Sequence, residues 1–148
     1  MKKIYVLYGS QYGNSEALAK NIHETFESKN LDIVCQTLNS VTNTNFENST
    51  LIILCSTTGN GDSPDNAFNF WKKIKNRSIN RNYFVNVDYI IIALGDTNFS
   101  NFCHIGKMMD KRIFELGGNR LLELTCIDDS KDPNKDIEEW KNKLISLI

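Results

Sequence analysis

Five short apolar runs recur along this chain with longer amphipathic stretches between them, and that alternation narrows the possible folds more than any other feature. Ile4-Tyr5-Val6-Leu7-Tyr8 is β-branched and aromatic and stops at Gly9. Leu51-Ile52-Ile53-Leu54-Cys55 and Tyr89-Ile90-Ile91-Ile92-Ala93-Leu94 are apolar throughout, the pattern of strands covered on both faces. Leu31–Cys35 alternates more and reads as a strand near a sheet edge, and Leu121-Leu122-Glu123-Leu124 reads as the fifth strand. Between the runs, Leu18, Ile22 and Phe26 lie four apart on one helical stripe. Phe68, Trp71 and Ile74 mark a second helix; Met108, Ile113 and Leu116 line a third that ends at Gly117-Gly118. Ile137, Trp140, Leu144 and Ile145 line a fourth. Strand followed by helix, repeated, requires parallel crossovers and hence a three-layer α/β domain. Too little chain is present for a full eight-stranded barrel, and periodicity alone leaves the strand order open.

The 148 residues are expected to form one domain spanning 1–148. A net charge of −1 speaks against a basic nucleic-acid surface, and lysines near Lys72–Lys75 and Lys107–Arg112 read as solvated helix faces. No apolar run approaches the ~20 residues that span a bilayer, and the Met-Lys-Lys start carries no signal peptide, so a cytoplasmic monomer is expected. Cys35, Cys55, Cys103 and Cys126 include no Cys-x-x-Cys pair and read as free thiols. His23 and His104 lack ligand spacing, so no metal is expected, and the Asn-x-Ser/Thr triplets at Asn48, Asn76 and Asn98 read as chance.

In a doubly wound sheet, ligands bind beyond the carboxyl ends of the strands where the strand order reverses. Three loops in that position are unusual. Ser10-Gln11-Tyr12-Gly13-Asn14-Ser15 offers backbone N–H groups and hydroxyls at a helix start without a Lys or Arg, which suits a phosphate or a simple helix cap at Asn14 or Ser15. It matches neither the Gly-Lys-Ser/Thr phosphate loop nor the Gly-x-Gly-x-x-Gly fingerprint. Ser56 to Asn66 contains Gly59 and Gly61 and is longer than a connection needs; Ser63 or Asp65 could cap the next helix after Pro64. Gly95 to Cys103 carries Phe99 amid polar residues, where the ring packs either on an aromatic ligand or back on the domain. Together the three loops describe a site for a phosphate and a large planar ring.

At these residues the chain resembles the flavodoxin family. Ser10-x-Tyr12-Gly13-Asn14-Ser15 is similar to the family's phosphate loop, and Gly95-Asp96-x-x-Phe99-x-x-Phe102-Cys103 to the loop whose aromatic covers the outer flavin face. No insertion of about 20 residues splits the fifth strand, as in the short-chain branch. Ser56 through Ala67, and Gly106-Lys107-x-x-Asp110-Lys111-Arg112 with Leu116-Gly117, resemble the FMN domains of diflavin reductases serving cytochrome P450 and methionine synthase. The resemblance implies an α/β, three-layer, five-stranded parallel sheet of order 2-1-3-4-5, and FMN as cofactor. It implies that Ser10, Gln11, Tyr12, Gly13, Asn14 and Ser15 hold the phosphate, and that Ser56, Thr57, Thr58, Gly59, Asn60 and Gly61 meet the inner flavin face and N5. Phe99 would stack on the flavin, backed by Asn98 and Phe102. Backbone groups of Leu94, Gly95, Asp96 and Cys103 would hold the pyrimidine edge, and the Asp128-Asp129 pair, Asp129 foremost, would lie near the flavin rim.

The implied function is FMN-dependent electron transfer from a reductase flavin, or an FAD/NADPH domain, to an acceptor protein. The chain would act as a free carrier or as part of an NADPH-dependent diflavin oxidoreductase. An FMN-dependent quinone reductase and a flavin-free interaction domain of the same fold are the alternatives; a phosphoryl-accepting receiver would need acidic residues where Gly9, Ser10, Ser56 and Thr57 stand. No nucleophile–base set is present, so no independent hydrolytic or transfer activity is expected. Three departures stand out: Tyr12 in place of a threonine, Thr58 in place of an inner-face aromatic, and near-neutral charge. Loss of one stacking partner removes on the order of 1 kcal/mol, so weak FMN binding is expected.

Overall fold

The computed structural model describes residues 2–58 and 61–148. The elements run β1 (Lys3–Gly9), α1 (Asn14–Glu27), β2 (Ile33–Thr37), β3 (Ser49–Ser56), α2 (Phe68–Ile74), β4 (Asp88–Gly95), α3 (His104–Glu115), β5 (Asn119–Arg120), β6 (Thr125–Asp128) and α4 (Asn134–Leu147). All strand pairs are parallel, and the sheet order is β2-β1-β3-β4-β5, with β6 also on β4. This is the 2-1-3-4-5 order that the resemblance implies, with β2 at an edge.

Alternation along the central strands fills both faces. Leu51, Ile53 and Cys55 of β3, with Tyr89 and Ile91 of β4, point into the core under α2 and α3. Ile52 and Leu54, with Ile90, Ile92 and Leu94, point into the core under α1 and α4. A parallel sheet needs such two-sided cover, which explains why these strands read as unbroken apolar runs.

Three sequence expectations need correction. Leu121–Leu124 is not the fifth strand: β5 pairs with the start of β4 and β6 with its end, and Leu121–Leu124 lies between them. Leu121 and the adjacent Leu122 both pack into the α1/α4 core, which a pleat that alternates faces cannot accommodate. The buried stripe of α3 runs Ile105, Met109 and Ile113, continuing to Leu116, so Met108 is exposed. In α2 the buried residues are Phe70, Trp71 and Ile74, whereas Phe68, the first helical residue, faces solvent. Strand boundaries also shift, β2 beginning at Ile33 because Ile33 stands opposite Ile4.

The Gly117-Gly118 stop signal is visible in detail. Gly117 takes φ +93°, its N–H donates to the Phe114 carbonyl at 3.1 Å, and the Gly118 N–H donates to Ile113 at 2.9 Å. That pair of bonds is the Schellman ending of a helix. At the other end, α3 presses directly on β4, because a Cβ on Gly106 would run into the Cβ of Ala93. Gly106→Ala is therefore expected to cost about 1–3 kcal/mol through overpacking, seen as a lower urea midpoint with an unchanged slope. An unaltered midpoint would show that α3 can back away from the sheet.

Candidate functional site

The carboxyl ends of β1, β3, β4 and β6 converge on a cleft of about 300 Å³. Twelve residues line it: Ser10, Gln11, Tyr12 and Asn14 after β1; Ser56, Thr57 and Thr58 at the end of β3; Leu94, Gly95, Asp96 and Phe99 after β4; and Asp129 after β6. Each of them was expected at the site from the sequence. The position follows from topology, since β1 lies between β2 and β3 and the connections on its two sides leave in opposite directions.

The first loop is braced for donation. Ser10 Oγ accepts the Gly13 N–H at 2.7 Å, and the Ser10 N–H donates to Asn66 Oδ1 at 2.8 Å. Gly13 holds φ +94° as the residue preceding α1, and no side chain caps that helix, so neither Asn14 nor Ser15 is the cap considered from the sequence. The first intrahelical bond is from the Ala17 N–H to the Gly13 carbonyl at 2.9 Å. The N–H groups of Asn14, Ser15 and Glu16 therefore lie ahead of it and point along the axis out of the helix start. With the positive end of the helix dipole behind them, they suit an anion. Ser15, fully buried, shares a 2.7 Å hydrogen bond with Ser56 Oγ and so ties the first loop to the second.

The second loop closes on itself: the Thr58 and Asp62 N–H groups each donate to the other's carbonyl at 2.9 Å. Gly61, at φ +111°, sits against Asn101 of the third loop. Gly59 and Asn60 lie outside the described residues. Neither Ser63 nor Asp65 caps the next helix, which is covered from elsewhere: Asn39 Oδ1 accepts the N–H groups of Asn69 and Phe70 at 2.8 and 3.2 Å. The Thr57 hydroxyl accepts the Ile105 N–H at 3.1 Å, which fixes the start of α3.

In the third loop, Phe99 is 51% exposed while lining the cleft, and Tyr12, also lining it, is 89% exposed. Phe99 thus stands half out of the domain at the edge of the cleft. Asn98 is exposed, its N–H donating to Asp96 Oδ1 at 2.8 Å. Phe102 and Cys103 stand behind the lining: a Cβ on Gly95 would meet the Cys103 N–H nitrogen at 2.9 Å and the Phe102 ring at 3.3 Å.

The two aspartates after β6 divide the work. Asp128 accepts from the Thr97 hydroxyl at 2.6 Å, the Thr97 N–H at 3.2 Å, the Ser130 hydroxyl at 2.6 Å and the Ser130 N–H at 3.0 Å. These bonds, those from Ser130 foremost, hold its carboxyl well below the usual carboxylate range. Asp129 lines the cleft, its N–H bonded to the Gly95 carbonyl at 2.7 Å. Burial pushes its carboxyl up, the charges of Asp128 and Asp96 add to that, and a hydrogen bond with Asn14 opposes it. Among the described residues, no Lys or Arg lines the cleft. Sequence reasoning passed over Asn66, Asn39, Thr97, Asp128's clasp and Ser130; the Asp-x-Ser spacing of an Asx turn was the one readable signal among them.

Comparison with known proteins agrees with this fold. The family model described as Flavodoxin matches residues 6–140. Methionine synthase reductase of Mus musculus is 34% identical over 150 residues, covering 100% of this chain and 22% of the relative. NADPH-dependent diflavin oxidoreductase 1 of Xenopus laevis is 33% identical, covering 99% of this chain and 25% of the relative. The crystal structure of oxidised Flavodoxin 2 from Bacillus cereus superposes with a TM-score of 0.78 at 22% identity, covering 98% of this chain and 97% of that one. The chain belongs to the flavodoxin family, and it spans about a quarter of the length of the reductases it matches. Among the described residues, no helix is long and apolar enough to cross a membrane, and no cluster of metal-ligating side chains occurs.

The Asp128 clasp gives the molecule a definite acid response. Its folded-state pKa lies below the unfolded value of about 3.9, so its contribution is complete above that value and is lost as pH falls towards the folded one. Thermal melts between pH 6 and pH 3 should fall less steeply for Asp128→Ala than for the native chain. Parallel profiles would show that the clasp carries no net stability.

Proposed function

We propose that this chain is an FMN-binding electron-transfer unit, residues 1–148 forming the flavin domain. It receives electrons from a reductase flavin, or an FAD/NADPH domain, and passes them singly to an acceptor protein. The observation that carries this reading is the uncapped start of α1 opening into the same cleft as the half-exposed ring of Phe99. A phosphate needs the first and a planar heterocycle needs the second. The cleft volume lies at the lower end of the usual range for ligand pockets, ~300–1,000 Å³, consistent with a flat ligand left partly open to a partner.

When bound, FMN supplies one- and two-electron redox chemistry. The chain's own residues bind and orient it. The N–H groups of Asn14, Ser15 and Glu16, with the Ser10 loop, would hold the phosphate without a side-chain cation. Gln11, Tyr12 and Gly13 complete that turn. Ser56, Thr57 and Thr58 would border the ring's inner side, and Phe99 its outer side. Leu94, Gly95, Asp96 and Cys103 would offer the polar backbone at the sheet end, with Asn98 and Phe102 supporting the loop. Gly61 would border the ring and Asp129 would lie at its rim, while the expected contacts of Gly59 and Asn60 fall outside the described residues. The carboxylates of Asp96 and Asp129 disfavour added negative charge in the cleft, which raises the cost of fully reducing an anionic ligand there.

Thr58 stands where an inner-face aromatic would add stacking, so Phe99 would be the main stacking partner. Titration of the purified chain with FMN, followed by flavin fluorescence, should saturate at micromolar concentrations. Phe99→Ala should weaken binding about 5- to 10-fold, the equivalent of ~1–1.5 kcal/mol. Stepwise reduction should then proceed in two separable one-electron stages. Absence of FMN binding at tens of micromolar would refute the reading, leaving an interaction domain of this fold.

A further inference from the structure

We propose that Cys103 and Cys126 form a dithiol site beneath the third loop, one that takes up an oxidising equivalent as an intramolecular disulfide. All four cysteines are free thiols. Cys126 lies in β6, opposite Ala93 of β4, and β6 is the edge of the sheet. Ile127 enters the α1/α4 core, so strand alternation turns Cys126 to the opposite face, towards α3. Cys103 immediately precedes α3 and is fully buried, its Sγ 3.4 Å from the Ala93 carbonyl oxygen and 3.9 Å from that of Ile127. Cys103 Sγ thus sits beside the carbonyl of the residue that follows Cys126 in β6. Cys35 lies on β2 and Cys55 within the core, where burial pushes the Cys55 thiol up to about 12.

The pair is chemically unequal. Their mutual interaction lowers the Cys126 thiol and raises that of Cys103, and Lys107 favours the thiolate at both. Cys126, half-buried at an edge strand, is therefore the attacking thiolate, and Cys103 the resolving one. With a low-molecular-weight disulfide such as oxidised glutathione, the Cys126 thiolate attacks one sulfur and expels one glutathione thiolate. Cys103, losing its proton, then attacks the Cys126 sulfur of the mixed disulfide and expels the second. One protein dithiol and one small disulfide become one protein disulfide and two small thiols.

Closing the gap between the two sulfurs into a covalent bond requires one partner to move. Cys126 is held by the β4–β6 ladder, whereas Cys103 sits at the loop end in the left-handed region at φ +55°. Cys103 is therefore the partner that shifts, and the loop bearing Asp96 and Phe99 moves with it, because the Cys103 nitrogen packs on Gly95. Resting on the FMN reading above, this makes oxidation weaken flavin binding.

The test uses the reduced, full chain incubated with oxidised glutathione, then alkylated and digested for mass spectrometry. A Cys103–Cys126 linked peptide pair, lighter by two hydrogens and restored by dithiothreitol, is expected. Cys35→Ser should behave as the native chain. Cys103→Ser should stop at a glutathione adduct on Cys126, and Cys126→Ser should form no link. Four thiols still open to alkylation after denaturation, or a link through Cys35, would overturn the site. FMN titration of the oxidised chain should give a dissociation constant about fivefold higher, an increase absent in Cys126→Ser. An unchanged constant with the link formed would overturn the coupling to the cleft. A link formed in a chain that binds FMN in neither state would uphold the dithiol and refute the flavin reading.

Discussion

Pairing of β1 with β3 on one side and β2 on the other governs everything that happens at the upper end of this molecule. Because the chain must cross the sheet in opposite directions from β1, the turns after β1 and β3 part from one another and leave a cleft between them. The buried runs of β3 and β4 make this arrangement costly to slip, since a one-residue shift would exchange the two cores. Ser15 and Ser56 share a hydrogen bond across that opening, and Thr57 reaches on to the first turn of α3. The loops are thus fixed to one another by side-chain hydrogen bonds at the mouth of the cleft.

What remains is a cleft of neutral donors and two acids. The helix start at α1 supplies positive potential without a mobile cation, and its N–H groups are oriented by the fold before any ligand arrives. Asp129, whose carboxyl burial pushes above the usual carboxylate range, lines the opposite side of the cleft. Asp128, the residue immediately before it, is withdrawn into the Thr97–Ser130 clasp and serves to hold the third loop. Two adjacent, chemically identical residues thereby acquire different tasks from their surroundings alone.

Much of this was legible before the coordinates. Unbroken apolar runs such as Leu51–Cys55 can only be covered on both faces, and the glycines and hydroxyls after them mark loops that do more than connect. The lining residues of the cleft follow from where those loops fall. Less legible were features in which a residue's partner lies far along the chain. Asn39 caps α2, and Asn66 orients the Ser10 loop, at separations of 30 or more residues, which no local pattern encodes. Consecutive leucines at Leu121 and Leu122 looked like a strand, but both serve one core and so break the pleat. The phase of α3 was misread at Met108 because its neighbour Met109 is equally apolar, and only packing distinguishes them.

The role assigned to the α1 start is tested most directly by comparing FMN with riboflavin, the same ring system without its phosphate. If backbone N–H groups at that helix hold the phosphate, charge-assisted bonds worth roughly 1.5–3 kcal/mol each are lost. Riboflavin should then bind about 100-fold more weakly than FMN, or worse. Equal affinity for the two would contradict this assignment and place the binding energy elsewhere in the cleft.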